Sequence, residues 1–519
     1  MANLLTTART WLRAEWAPAA RATVAMVVPL GAAVAAGDLH AGLTMSLGAF
    51  AALYGRQEPY RRRAVLVGGV AVGLVAATVL GSVAAGSAWT AALAIAVVGA
   101  VSTWAAQSTA LGPPGAYMLT LVAAVSTYLP LPAGGLWTRA GYVALGAAFA
   151  WCVVMSGALV RPAVPQTRAL AAAYDAVAAL LRAPSPLARH AAAAALRVAG
   201  DHLVAAGPHS GDAGRLRALH GYARRAFLGG GDPAEFAAVA AALRSGRPTA
   251  VDPAACPDEH LMLSSRWHLG PHSLAVPAGV RVFVAALLAA GVAAAVGLPH
   301  TYWAPAAAVV VLQATSARLT MTRAVHRIAG TVVGVLIAAG VFALHPSPVL
   351  VVVIVGLLQF VVEVCIGRMY ALGVSFVTPL ALLIAESGGI RTPLHALLGD
   401  RLTETVIGCA VGILVAMTVL PRAATRRVPR AIEFVRQRQA MLESLLSGGG
   451  AEGQVAGARR DVVDALTSLA EAIRNAKGEL RPDAKMLVAA GEAADAGWLA
   501  VTRVDGADVH APGGPTPPA

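Results

Sequence analysis

The run Pro348-Val-Leu-Val-Val-Val-Ile-Val-Gly-Leu-Leu-Gln-Phe-Val-Val-Glu-Val-Cys-Ile366 decides the fold class. Its only charge is Glu363, close to one end. Coiled as a helix, a run of this length nearly matches the ~30 Å hydrocarbon thickness of a bilayer. Similar runs recur on both sides of it. A first apolar block divides into 22–36, 41–54, 64–85, 88–106, 116–130 and 140–160. A second divides into 280–296, 302–315, 325–344, 348–366, 370–385 and 402–420. Several pieces, notably 41–54 and 116–130, are short for a span; they either extend beyond these bounds or are re-entrant. The expected fold is an all-α polytopic membrane protein. It has two parallel repeats of about six transmembrane helices plus cytoplasmic helical segments, twelve spans in all, with ten or eleven as alternatives.

Composition agrees. Hydrophobic residues make up 57% of the 519 residues, charged residues 13%, and mean hydropathy is +0.66. Soluble chains carry about 25% charged residues, so lipid must be the solvent for much of this one. The net charge of +13 raises the question of nucleic acid. The arginines sit between apolar runs instead of on one aromatic-studded face, so they are read as membrane orientation and anionic-lipid contacts, with no nucleic-acid partner. Cys152, Cys256, Cys365 and Cys409 show no metal or redox spacing,. Residues 1–36 imitate a secretory signal, with Arg9, Arg13 and Arg21 before an apolar stretch,. Because many apolar segments follow, residues 22–36 are read as a retained first span.

Two polar-interrupted stretches complete the chain. Residues 161–279 break at Pro184–Pro186, Gly207–Pro208 and Gly229–Gly231 and read as short helices in a cytoplasmic linker domain. Residues 422–502 contain Val462, Leu466, Leu469 and Ile473 at 4-3-4 spacing, an amphipathic stripe,. The linker is the obvious partner for that stripe. Residues 503–519, ending Gly/Pro-rich, are expected to be disordered,. The expected domains are thus 1–160, 161–279, 280–421, 422–502 and the tail.

Arginine placement sets the orientation. With the N-terminus inside, the inner short segments hold Arg9, Arg13, Arg21, Arg56, Arg61, Arg62, Arg63, Arg318, Arg323, Arg327 and Arg368; the outer ones hold Arg139, Arg391 and Arg401. Eleven against three places both termini in the cytoplasm of a bacterial inner-membrane, multi-pass protein. The blocks also resemble each other. Arg21, Gly31, Gly37 and His40 match Arg281, Gly291, Gly297 and His300 at an offset of 260. Arg62, Gly69 and Gly73 match Arg323, Gly330 and Gly334 at 261, and Arg139 and Gly146 match Arg401 and Gly408 at 262. Even span counts make this a parallel repeat, and transport pathways commonly lie where repeats meet.

Several side chains are candidates for chemistry, each with a plainer rival. Tyr302 and Trp303, in the Pro-interrupted run Gly297–Pro305, could stack an aromatic substrate or anchor at the interface. His300 could relay protons or be a turn residue. Arg323 and Arg327, one turn apart, could attract an anion or serve as positive-inside anchors. Gly330 and Gly334 form a small-xxx-small packing face, and Gly408 continues the theme. Arg139 and Arg401 break the orientation bias at equivalent places and suggest a cationic pathway lining; salt bridging is the rival, with Glu404 as partner of Arg401. Glu363 is a second proton-carrier candidate or a paired glutamate. No phosphate loop, hydrolase triad or metal spacing occurs in the sequence,, so no enzyme, metal or cofactor is expected.

The second block resembles the FUSC family, named for fusaric acid resistance and also described as an integral membrane bound transporter domain. The resemblance runs over about 280–421. It rests on His300 with Tyr302-Trp303-Ala304, on Arg323-x-x-x-Arg327-x-x-Gly330-Thr331-x-x-Gly334, on Tyr370 and Thr378-Pro379, and on Arg401-x-x-Glu404-Thr405-x-x-Gly408 and Pro421. The first block fits more loosely, lacking an equivalent of the Trp303 run. The resemblance implies proton-driven efflux of aromatic carboxylic acids or similar organic anions, and distant likeness to plant malate channels suggests a homodimer. The expected function is export of small organic anions. An anion channel of the same architecture and a non-transporting scaffold or stress sensor are the alternatives.

Overall fold

The computed structural model describes residues 2–207, 212–249, 275–298, 302–313, 317–386, 394–420, 425–479 and 482–508. Its elements in chain order begin with α1 (Ala2–Ala35), α2 (Leu39–Ala49, extended by a 3-10 turn Phe50–Leu53), α3 (Tyr60–Val83), α4 (Ala88–Ser108), α5 (Tyr117–Tyr128), α6 (Gly135–Met155) and the short α7 (Gly157–Val160). Next come α8 (Val164–Arg182), α9 (Pro186–Ala206), α10 (Ala213–Gly229) and α11 (Pro233–Ser245). The second apolar block forms α12 (Ala275–Ala295), α13 (Trp303–Leu312), α14 (Ala317–Ala343), α15 (Pro348–Cys365), α16 (Tyr370–Glu386) and α17 (Leu394–Thr418). The chain continues with α18 (Val428–Ser447), α19 (Glu452–Lys477) and α20 (Ala484–Asp508).

The chain divides into two compact units. One comprises residues 1–161 with 266–421, the other 162–265 with 422–519. In the first, eight helices among the described residues are long and apolar enough to cross a membrane. The other four, Leu39–Leu53, Tyr117–Tyr128, Trp303–Leu312 and Tyr370–Ala385, are shorter. At 1.5 Å per residue α5 reaches only about 18 Å and α13 about 15 Å. The short helices are the second and fifth of each half. They survive because protein, not lipid, surrounds them: every residue from Trp303 to Val311 is buried. Irregular backbone at membrane depth is tolerated only in such surroundings. The long helices show the opposite face to their environment. Leu93, Val97, Val101 and Trp104 make a helical-period apolar stripe on α4, and all are exposed, as a lipid-facing stripe must be.

The two halves fold alike. In the first, α1 packs on α2 and α6, α2 on α6, α3 on α5 and α6, and α4 on α5; in the second, α12–α17 make the same set of pairings. The halves are joined reciprocally, α1 against α15 and α12 against α4. The match extends to the ends of the first helices. Gly37 and Gly297 both adopt positive φ, at +85° and +79°. Each closes its helix with the same pair of bonds: Gly37 N–H to Val34 O (3.0 Å) and Asp38 N–H to Ala33 O (2.9 Å), against Gly297 N–H to Ala294 O (3.0 Å) and Leu298 N–H to Ala293 O (3.1 Å). This is the glycine-terminated cap expected where a helix must stop abruptly.

The second unit is a set of amphipathic helices with two apolar clusters. One joins α8–α11 through Leu170, Tyr174, Leu219, Phe236 and their neighbours. The other holds the 4-3-4 stripe, with Val462, Leu466 and Leu469 fully buried and Ile473 packed against them. Here the structure corrects the expected partner. The stripe lies chiefly against α18 and α20; from the linker, Ala193 of α9 and Phe227 and Leu228 of α10 join the same cluster. The reason is local: a short turn folds α18 back on α19 as a helical hairpin. The tail also differs from expectation, since α20 remains helical to Asp508 and only 509–519 fall outside the described residues.

Candidate functional site

The site is built around the N-terminus of α13. Pro305 falls in the first turn of that helix, where its missing N–H costs nothing. In the first half, α2 is capped from within: Asp38 Oδ1 accepts from Ala41 N–H at 2.8 Å. In the second half the cap comes from another helix. Glu404 Oε2, on α17, accepts the Trp303 N–H at 2.9 Å. Glycine permits this approach, because a Cβ on Gly408 would lie 2.2 Å from Ala304 O. The equivalent Gly146 is as tightly seated, 2.0 Å from Met45 O.

With α17 this close, the Arg401 guanidinium lies over the Trp303 ring, 3.8 Å from its centroid. Arg401 and Trp303 are 1% exposed and Glu404 0%. A cation on an indole face in a desolvated setting gains about 2 kcal/mol. Tyr302 packs beside Trp303, centroids 4.9 Å apart, and stacks on Tyr128 of α5 at 5.3 Å. The aromatic row therefore crosses from one half to the other. From α14, Arg327 reaches the Tyr117 hydroxyl with Nη2 at 3.4 Å and lies 5.3 Å from that ring's centroid. Tyr370 and the Arg401 charge also face Arg327. Gly330 and Gly334 seat α14 on α16, their would-be Cβ atoms 2.4 Å from Ala371 O and 2.6 Å from Thr378 Cβ.

The hydrogen-bond inventory is lopsided. Arg401 Nε and Nη1, Trp303 Nε1 and Arg327 Nε are buried donors without a partner; Glu404 Oε1 is a buried acceptor without one. Among the described residues Arg401 and Glu404 form no ion pair, although one turn separates them: the carboxylate turns to the α13 backbone and the guanidinium to the indole. In place of the salt bridge named as the rival reading, the two side chains make separate interactions with Trp303.

The other candidates lie elsewhere. Arg139 is 1% exposed and gives Nη1 and Nη2 to Ser82 Oγ (2.8 Å), Ser126 O (3.2 Å), Leu129 O (2.7 Å) and Pro130 O, while its Nε has no partner. It clamps the end of α5, and Tyr142 stands where the offset of 262 would place a partner for Glu404. Glu363 is buried and paired with Arg56 of the first half, and accepts from Gln359 Nε2 at 3.3 Å. Arg323 is half-buried, one turn before Arg327. His300 and Arg391 lie outside the described residues. Tyr117 and Tyr128 were not singled out by sequence; their one signal is a hydroxyl at each end of a short apolar helix. Among the described residues no group of three or more His, Cys, Asp or Glu could hold a metal ion.

Comparison with known proteins bears on the same half. A family model described as "Fusaric acid resistance protein-like" matches residues 287–415. A Bacillus subtilis (strain 168) protein described as "Uncharacterized membrane protein YvaC" is 26% identical over 493 residues, covering 83% of this chain and 77% of its own length. No solved structure matches. The chain is therefore a polytopic helical membrane protein, and residues 287–415 in its second half are similar to the fusaric acid resistance protein-like family.

Proposed function

We propose that the protein exports small organic anions, aromatic carboxylates foremost, across a bacterial cell membrane, with both termini and the second helical unit in the cytoplasm. The observation that carries this reading is the set of buried groups around α13: four donor nitrogens on Arg401, Trp303 and Arg327 lack acceptors, against one carboxylate oxygen of Glu404 and the Tyr370 hydroxyl, which can donate or accept. A buried donor without a partner costs about 1–3 kcal/mol. A carboxylate ligand recovers part of that cost from several donors at once, and arginine is suited to hold it bidentately. Tyr302, Trp303 and Tyr128 offer flat faces for an aromatic body. The arrangement sits on a short internal helix where the two halves meet, the usual place for a transporter's binding site. The family description supports the same cargo, since fusaric acid is itself an aromatic carboxylic acid.

Uptake of a panel of labelled aromatic acids into everted membrane vesicles tests this reading. Wild-type vesicles are expected to accumulate at least one acid, and R401Q vesicles with equal protein content to accumulate none above background. Unitary currents in planar bilayers would make the protein a channel for the same anions. No flux of any acid in correctly inserted protein would reject the proposal.

A further inference from the structure

We propose that Glu404 makes anion binding proton-linked, so that one proton and one organic anion enter the site together; this rests on the reading of the Arg401–Trp303 cluster as an anion site. The carboxylate is fully buried, and its two oxygens have different circumstances. Oε2 caps α13 through the Trp303 N–H, and Oε1 has no partner. In its ionised form Glu404 is the cluster's resident anion. It supplies negative charge beside the buried Arg401 guanidinium and at a helix N-terminus, where anions are favoured,. A ligand carboxylate needs those same positive groups and is repelled by that same charge. A proton on Oε1 removes the repulsion and leaves Oε2 to accept from Trp303. It also converts the free acceptor into a donor facing a ligand oxygen. By linkage, whatever makes the proton bind more tightly to the anion-loaded site makes the anion bind more tightly to the protonated site.

The groups facing Glu404 are few. Asp400 and Arg401 lie on its own helix, α13 presents the Trp303 and Ala304 amides, and Tyr302 stands beside Arg401. Arg327 and Tyr117 lie on the far side of Arg401, with Tyr370 beyond. From α12, also packed on α17, the one titratable residue is Arg281, which bonds Val419 O at the other end. The exposed His326 lies on the outer surface of α14.

The sign of the linkage has a consequence for mechanism. Export driven by an inward proton flow requires that proton binding expel the cargo. Here proton binding retains it. An inward proton gradient therefore does not drive this site outward. Instead, the site fills when the cytoplasm becomes acid, which is the condition that accumulated organic acids create.

Calorimetric titration of the purified full-length protein in detergent, between about pH 5.5 and 8.5, tests this inference with benzoate and with benzenesulfonate, both ionised throughout. The wild-type dissociation constant is expected to rise with pH, by up to about tenfold per unit for one linked proton. Repeating the titration in buffers of different ionisation enthalpy should show proton uptake on binding. E404Q keeps an oxygen for the Trp303 N–H and should bind with near-constant, tight affinity over the whole range. Wild-type affinity that is flat with pH, or an E404Q slope equal to wild type, would overturn the linkage while leaving the anion site standing. Absence of binding by folded wild-type protein at every pH would overturn the anion site itself.

Discussion

Substituting Gly408 by alanine should disable the site without unfolding the protein. A Cβ there would lie 2.2 Å from Ala304 O and 2.7 Å from Ala307 Cβ, and ordinary contact begins near 3.4 Å. The backbone oxygen cannot rotate away as a side chain does, so α17 must retreat from α13 by about 1 Å. That retreat takes the 2.9 Å bond between Glu404 and the Trp303 N–H out of hydrogen-bonding range. It also lifts Arg401 from the indole. Overpacking of this kind costs about 1–3 kcal/mol, partly offset by about 0.5–1 kcal/mol from replacing a mid-helix glycine. Loss of a hydrogen bond to a charged group is worth about 1.5–3 kcal/mol, or roughly tenfold to a hundredfold in anion affinity. G146A is the internal control. Its Cβ meets Met45 O at 2.0 Å, in the half without a Glu404 counterpart. Both variants should lower the unfolding temperature in detergent by similar amounts. Only G408A should weaken benzoate binding, while G146A stays within about twofold of wild type, as distant sites generally do. Equal loss of binding in both variants, or wild-type affinity in G408A, would refute the argument that α17–α13 contact positions the anion site.

Three further outcomes follow from other buried groups. R139Q removes the donors that hold Ser82 Oγ and the Ser126 and Leu129 carbonyls; unfolding should occur at lower temperature, with about 2–4 kcal/mol lost, and the folded fraction should bind benzoate with unchanged affinity. E363Q weakens the pair with Arg56 and should cost stability, while the pH slope of anion binding remains; a flattened slope would transfer the proton role to Glu363. In the second unit, His190 Nδ1 accepts the Trp498 Nε1–H at 3.2 Å, and burial, reinforced by the Arg474 charge and opposed by Asp495, holds the imidazole below its ordinary 6.5. A depressed value means that the contribution to stability is complete above 6.5 and is lost as pH falls from there. Hydrogen exchange in α20 should therefore quicken on acidification, and H190Q should quicken less.

Much of the architecture is legible in the sequence because lipid imposes a strong and simple pattern. The apolar runs from 22–36 to 402–420 each coincide with a helix, and even the suspicion attached to 41–54 and 116–130 is reflected in the brevity of α2 and α5. The paired glycines Gly37 and Gly297 could be aligned by counting, since a helix stop at a fixed place needs a residue that accepts positive φ. The amphipathic stripe of α19 was equally clear. Its partner was not, because a stripe states that it must be covered and not by what.

The site is a different matter. Counting marks Trp303, Arg401 and Glu404 one by one, and marks Arg139 and Arg401 as equals. The sequence alone determined that this is a membrane protein of two like halves with a few buried charges, because the transfer of apolar helices into lipid depends only on residue type and spacing. Only the tertiary structure decided what those charges do. The distance of α17 from α13 places Arg401 on an indole with two nitrogens free, whereas both Nη groups of Arg139 are taken by Ser82 and the carbonyls at the end of α5, leaving only its Nε without a partner. Whether a buried guanidinium is satisfied depends on acceptors contributed by other helices, and side-chain spacing along one helix carries no record of them.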